Sequence, residues 1–442
     1  MQIFLPDVIY TGGVFVKDCG VAVENGVIAA VDKAETLCRA YPGAETVRWD
    51  KRLLLPGTVN VHNHSFQSLL RGIAADRPFL EWRDQSLYRF SPKMRVEDLY
   101  TGAVFAFTEM MLCGVTTVSD FFYLHNFGTE SDEAIIAAAR DVGIRLVLAR
   151  TMYDWDGAPS GYVESIADAT ENTRRLAKKY NGSGMTTVLP APHSLHAASP
   201  EMILSGHRLA AELGTKFHIH VAEEPFEVEQ VKKEHGGLQT IEYLNTLGVV
   251  DSSMAIIHGV WLKPEEIALL GARGGSLAYC PSSNMFLADG ITDIPAMRRA
   301  GVRIGLGTDG ACSNNRISVL EEMRMVSLLQ KAKTVDAMVL NYRDAFDMGT
   351  KDGAALLDLP TGEIAAGKCA DLIGVALDDL SMQPLTDAGE QMLPNVVYSM
   401  QPSAVKEVVV NGRATVQNGV CATMKSEKVI AMVQDTMRHL EA

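Results

Sequence analysis

The sequence contains no Cys-x-x-Cys pair, and its seven cysteines (Cys19, Cys38, Cys113, Cys280, Cys312, Cys369 and Cys421) are odd in number and widely spaced. This argues against a disulfide framework and suits reduced thiols in a cytoplasm. No run of Lys and Arg occurs. The 40 basic residues against 54 acidic ones leave a formal net charge of −14, so no nucleic-acid partner is expected. No stretch of ~18 residues is both apolar and uncharged, as a membrane-spanning helix requires. The opening segment MQIFLPDVIYTGG lacks the basic start and long apolar stretch of a signal peptide. A Gly-x-Ser-x-Gly elbow and a Gly-x-x-x-x-Gly-Lys-Ser phosphate loop are both missing, which disfavours serine-hydrolase and nucleotide-triphosphate chemistry. What is present is 442 residues, 47% hydrophobic and 21% charged. At ~150 residues per domain this is an acidic, enzyme-sized chain of two or three domains.

Both ends of the chain carry short strand signals. Residues 21–31 are two apolar runs joined by Asn25-Gly26, a strong hairpin signal, and residues 53–57 close that block. Residues 370–376 and 407–413 are strand-like as well, the second ending in Asn411-Gly412. Neither end has enough strand surface for a sheet of its own, so residues 1–57 and 362–442 are expected to pair into one small β-sandwich domain. Between them, eight apolar runs alternate with helical stretches such as 96–111, 166–180 and 201–213. The runs are 58–61, 115–119, 145–149, 186–189, 216–221, 254–257, 275–279 and 302–306. Eight β-then-α units predict an α/β fold with a (β/α)8 TIM barrel over residues 58–361.

In such a barrel, chemistry sits where strands end. The first run ends His62-Asn63-His64, and strand alternation points both imidazoles to one side, as two ligands of one metal require. The fifth run ends His218-Ile-His220-Val-Ala-Glu223, the sixth in His258, and the eighth leads into Asp309. Each alone has a bland reading as a turn or packing residue. Their conjunction on one rim predicts a mononuclear divalent site of His62, His64, His220 and Asp309, suited to Zn2+ or Fe2+ with a position left for water. Glu223 is placed to move protons, and His258 to hydrogen-bond the attacked oxygen or the water. His218 is expected to pack, Cys312 to be a packed thiol, and Arg150 is a weaker substrate-binding candidate. The stretch 185–199 has no lysine, which disfavours a second metal bridged by a modified lysine.

These segments resemble the amidohydrolase superfamily, in particular the branch of cytosine deaminase, S-adenosylhomocysteine deaminase and formiminoglutamate deiminase. The matching motifs are 55–64, 218–223, 257–258 and 307–310, with 362–372 resembling the return into that superfamily's β-sandwich. The resemblance implies hydrolytic deamination of an amidine, formimino or amino-heterocycle group. Glu223 would protonate the neighbouring nitrogen, Asp309 would take the water proton, and His258 would steady the oxygen. Residues 307–315 look like the adenosine-type deaminases, although Ser91 stands where those relatives place an acid for the ribose. Gln67, Arg83, Tyr123 and His193 match substrate-contacting positions of formiminoglutamate deiminase. His196 stands where that family carries a carboxylate-gripping Arg, and it cannot make the bidentate fork. The rival readings are a hydrolase of the same fold that expels an amide, urea or chloride group, and a non-catalytic barrel. A small-molecule substrate and a homo-oligomer are the expected partners.

Overall fold

The computed structural model describes residues 1–386 and 389–441. All eight expected central strands are present: Thr58–Asn63, Val115–Phe122, Arg145–Met152, Thr186–Pro192, Phe217–Val221, Met254–His258, Ser276–Tyr279 and Arg303–Leu306. They are buried along nearly their whole length, as parallel strands covered on both faces must be. Strands one to four pair in sequence as one parallel sheet and strands five to eight as another. The pairing thus registers as two four-stranded sheets rather than one closed ladder. The seams lie at the strand ends. The His220 N–H donates to the His193 carbonyl at 2.9 Å, and the Thr308 and Asp309 N–H groups donate to the His62 carbonyl at 3.1 and 3.0 Å.

The intervening helices start where the sequence supplies caps. Ser165 accepts from the Asp168 N–H at the head of Ile166–Tyr180, and Ser199 accepts from the Met202 N–H at the head of Pro200–Leu213. The second helix stops at Gly214, whose φ of 65° is the left-handed conformation of a helix end.

The strands of the two chain ends pair into one nine-stranded ladder. The reason is the twelve-residue strand Glu45–Pro56. One edge runs parallel to Gln2–Thr11 and the other antiparallel to Leu372–Ala376, so it fuses the amino- and carboxy-terminal strands into a single ladder. Both predicted Asn-Gly turns are there, with Asn25 and Gly26 at φ 51° and 80° and Asn411 and Gly412 at 50° and 76°. A buried ion pair joins this sheet to the central strands. Arg145 contacts Asp371 through Nε at 2.9 Å and Nη2 at 3.0 Å, and Asp371 also accepts from Thr361 Oγ1 and the Asn411 N–H.

Candidate active site

The four expected ligands converge where the central strands end. Asp309 Oδ1 lies 3.2 Å from His64 Nε2 and 3.5 Å from His62 Nε2, and His62 Nε2 lies 3.3 Å from His220 Nε2. All four side chains are buried. His64 Nδ1 is 2.6 Å from the Phe121 carbonyl, so that nitrogen carries the proton and Nε2 turns a lone pair toward the Asp309 carboxylate. His220 Nδ1 donates in the same way to the His193 carbonyl at 3.0 Å, leaving its Nε2 to face His62. Acceptors pointed at one another in a buried space call for a cation, and three imidazoles with one carboxylate are a donor set for a divalent metal.

Electrostatics agree with this division of labour. Burial pushes the His62 ring down to about 3 despite the opposing pull of Asp309. Burial and the neighbouring histidines likewise hold His220 well below the ordinary imidazole value, so both rings are neutral, the metal-binding form. Burial alone would raise Asp309, but its contacts with His62 and His64 outweigh that and hold it well below the usual carboxylate range. Asp309 Oδ2 accepts from Ser283 Oγ at 2.5 Å and Ser313 Oγ at 2.9 Å, which leaves Oδ1 to the histidines.

Glu223 and His258 stand beside this cluster, with Glu223 Oε1 3.2 Å from His258 Nε2. Burial, with Asp289, Glu227 and Asp309 as further acidic neighbours, pushes the Glu223 carboxyl well above its ordinary value. Its surroundings thereby favour the protonated form. Asn284 Nδ2 sits between His258 Nδ1 at 3.0 Å and Asp289 Oδ2 at 2.9 Å. Ala222, His258 and Asp309 have φ of 50°, 67° and 56°, so the non-glycine backbone is held in the left-handed region at three points of the site.

Above the cluster opens a narrow cleft. Gln67, Arg83, Tyr123, His193 and His196 all line it, together with His64, His220, Glu223, His258 and Asp309. Gln67 is braced between Tyr123 Oη at 2.9 Å and Cys312 Sγ at 3.1 Å. Arg83 is bound by Asp84 at 2.8 Å and lies over the Tyr88 ring. His196 Nδ1 is 3.1 Å from Glu227 Oε1. Arg150 is elsewhere. It is fully buried between Asp132 at 2.9 Å and Glu164 at 2.8 Å, a structural ion network rather than a substrate group. His218 is buried with neither ring nitrogen bonded among the described residues, as a packing ring is. Ser91 is buried behind the wall, against Tyr162 Oη at 2.9 Å.

Sequence reasoning missed the apolar walls, which are Phe79, Leu87, Tyr88, Tyr153, Tyr162 and Leu287. These aromatics come from separate loops and carry no spacing signal. The serines that brace Asp309 were also missed. Ser313 at least lies inside the 307–315 motif.

A buried donor set of this composition at the ends of eight parallel strands defines a metal-dependent hydrolase. Residues 53–415 match the amidohydrolase family, and the chain belongs to that family. Residues 20–44 match an imidazolonepropionase-like composite domain of bacteria. A 5-methylthioadenosine/S-adenosylhomocysteine deaminase from Bacillus cytotoxicus is 35% identical over 391 residues, covering 87% of this chain and 86% of the relative. A deaminase of the same name from Syntrophomonas wolfei is 35% identical over 396 residues, covering 88% of each. Among solved structures, a zinc-bound adenosine deaminase from Xanthomonas campestris superposes with a TM-score of 0.90 at 26% identity, over 100% of this chain and 98% of that one. The zinc complex of atrazine chlorohydrolase from Arthrobacter aurescens has the same fold, with a TM-score of 0.90 at 22% identity over 100% of both chains. The protein is thus a hydrolase of carbon–nitrogen bonds, of the deaminase type.

Proposed function

We propose that this protein is a zinc-dependent aminohydrolase that releases ammonia from an amino-substituted heterocycle of the adenosine type. The observation that carries this reading is the placing of the Glu223 carboxyl, 3.2 Å from His258 and at the floor of an aromatic cleft, where burial favours its protonated form. His62, His64, His220 and Asp309 would hold a divalent metal, which when bound would supply an activated water there. Glu223 hands its proton to the ring nitrogen next to the attacked carbon, and His258 Nε2 hydrogen-bonds the oxygen that carbon gains. Asp309, steadied through Oδ2 by two serines, takes one water proton at Oδ1 and passes it to the amine as the C–N bond breaks, and the remaining hydroxyl proton returns to Glu223 as the carbonyl forms.

The walls favour a planar ring. Phe79, Trp82, Tyr88, Tyr153 and Tyr162 offer stacking faces and exclude water. Arg83 is already neutralised by Asp84 and His196 by Glu227, so neither is a free carboxylate clamp. The methylthioadenosine-type relatives support the same substrate class. A formimino compound is the second reading, favoured by the gathering of Gln67, Tyr123 and His193 on one wall. We further assign residues 58–361 to a closed (β/α)8 hydrolase barrel, and residues 1–57 with 362–442 to a composite, sandwich-like β domain. Seven unpaired cysteines support a cytoplasmic setting. Assembly into a homo-oligomer stays an expectation from the family resemblance alone.

The test is ammonia release by zinc-loaded protein from adenosine, methylthioadenosine, cytosine and guanine beside formimino-amino acids and guanidino compounds. Turnover of the aminopurine nucleosides is the expected result. Turnover confined to the acyclic set would replace the proposed substrate class with the formimino one.

A further inference from the structure

Glu322 lies outside the cleft, on the helix Val319–Thr334, and is 1% exposed. No basic side chain pairs with it among the described residues. Its two oxygens are instead divided between the short helix Pro281–Phe286, after the seventh central strand, and the loop after the eighth. Oε2 accepts from the Ser282 N–H at 3.0 Å, and Oε1 accepts from Asn314 Nδ2 at 2.9 Å. The next residue after Ser282 is Ser283, and the one before Asn314 is Ser313. These are the two serines whose hydroxyls hold Asp309 Oδ2, at 2.5 and 2.9 Å. Asn314 Nδ2 also donates to the Thr308 carbonyl at 2.9 Å, one residue before Asp309.

Burying a carboxylate without a cation is costly, and a packed apolar residue would fill the same volume more cheaply. The chemistry of the partners explains the choice. Both are N–H donors, and a carboxylate alone among side chains of this size presents two acceptors and no donor. An amide would set an NH2 group against one of the two donors.

We propose that Glu322 is a positioning residue for Asp309, acting through the short helix that carries Ser283 and the loop that carries Ser313. It staples the helix after the seventh central strand to the loop after the eighth. The Asp309 carboxylate is thereby fixed with Oδ2 toward the serines and Oδ1 toward His62 and His64. This gives the Ser313-Asn314 pair of the 307–315 motif a task that the cleft itself does not explain. The inference rests on the deaminase reading of the site, since Asp309 is there both a metal-holding and a proton-moving group.

The experiment compares the full-length wild type, Glu322→Gln, Asn314→Ala and the double variant. Cobalt(II) is loaded in place of the native metal, and its visible spectrum and binding affinity are measured beside kcat and KM per bound metal. We expect the cobalt spectrum to shift and kcat to fall about 10- to 100-fold in either single variant, with KM changed less than about threefold. The double variant should lose no more than the worse single one, because both substitutions open the same staple. Asn314→Ala keeps the inference testable if Glu322→Gln does not fold. An unchanged cobalt spectrum with unchanged kcat per bound metal would overturn the inference, as would losses that multiply in the double variant. Wild-type protein that binds cobalt but releases no ammonia from any substrate would instead refute the deaminase reading, and the cobalt comparison would still decide the staple.

Discussion

Replacing Glu223 by Gln separates proton delivery from everything else the site does. The amide has nearly the shape of the acid and still accepts from His258 Nε2 across the 3.2 Å contact, and its neighbours need not move. What it cannot do is give up a proton to the ring nitrogen. General acid–base transfer contributes about 10²- to 10⁴-fold. At ~1.36 kcal/mol per tenfold that is a barrier increase of about 3–5 kcal/mol. Because Glu223 is one of many groups lining the cleft, KM should change little, and the four proposed metal-holding side chains are untouched. The assay is ammonia release at saturating substrate, with metal content measured on the same samples. Two results would refute the reasoning. A variant keeping more than about a tenth of wild-type kcat would show that Glu223 is not the acid. Loss of the metal would show that Glu223 is a ligand, a role its geometry allows, since Glu223, His258 and Asp309 also place ligand atoms within 4.8 Å of one another.

Stripping the metal with a chelator should abolish turnover and lower the thermal midpoint, with both restored by zinc; activity surviving complete removal would contradict the proposed chemistry. Asp371→Ala leaves Arg145 charged and buried without its partner, so denaturant unfolding should show a loss of about 3–5 kcal/mol, and a loss below about 1 kcal/mol would remove the pair from the list of structural anchors. Burial pushes Asp289 up to about 9, so the folded protein keeps a proton that the unfolded chain releases near pH 4. Stability should therefore fall as pH rises through that window, and Asp289→Asn should flatten the slope; urea midpoints at pH 5, 7 and 9 would show it, and equal slopes would refute it.

The strands and the convergence of His62, His64, His220 and Asp309 were legible because their signals are local. Apolar runs mark the central strands, and polar residues at the ends of those runs mark the rim, so His62, His64, His220 and Asp309 could be named before any pairing was known. The Asn25-Gly26 and Asn411-Gly412 turns were legible for the same reason, since their backbone conformation is set by two residues. Pairing was not. Whether Glu45–Pro56 serves one sheet or two depends on which strands arrive at its edges, and those come from opposite ends of the chain. The fate of the arginines was equally hidden. Arg83 finds Asp84 next door, whereas Arg150 is absorbed by Asp132 and Glu164 from two different segments, and nothing on the third strand announces either of them. Glu322 reads as one more acid on an amphipathic helix until its partners are placed around it.

The single ladder shared by both chain ends bears on how the molecule is made. The edge of Glu45–Pro56 that pairs with Leu372–Ala376 leaves the ribosome long before its partner does. At ~5–20 residues per second the gap lasts tens of seconds, during which a twelve-residue strand has one side open. Open strand edges template wrong pairings. A nascent chain stalled inside the barrel would therefore carry a sticky amino-terminal hairpin, and shielding by a chaperone would matter most in that interval.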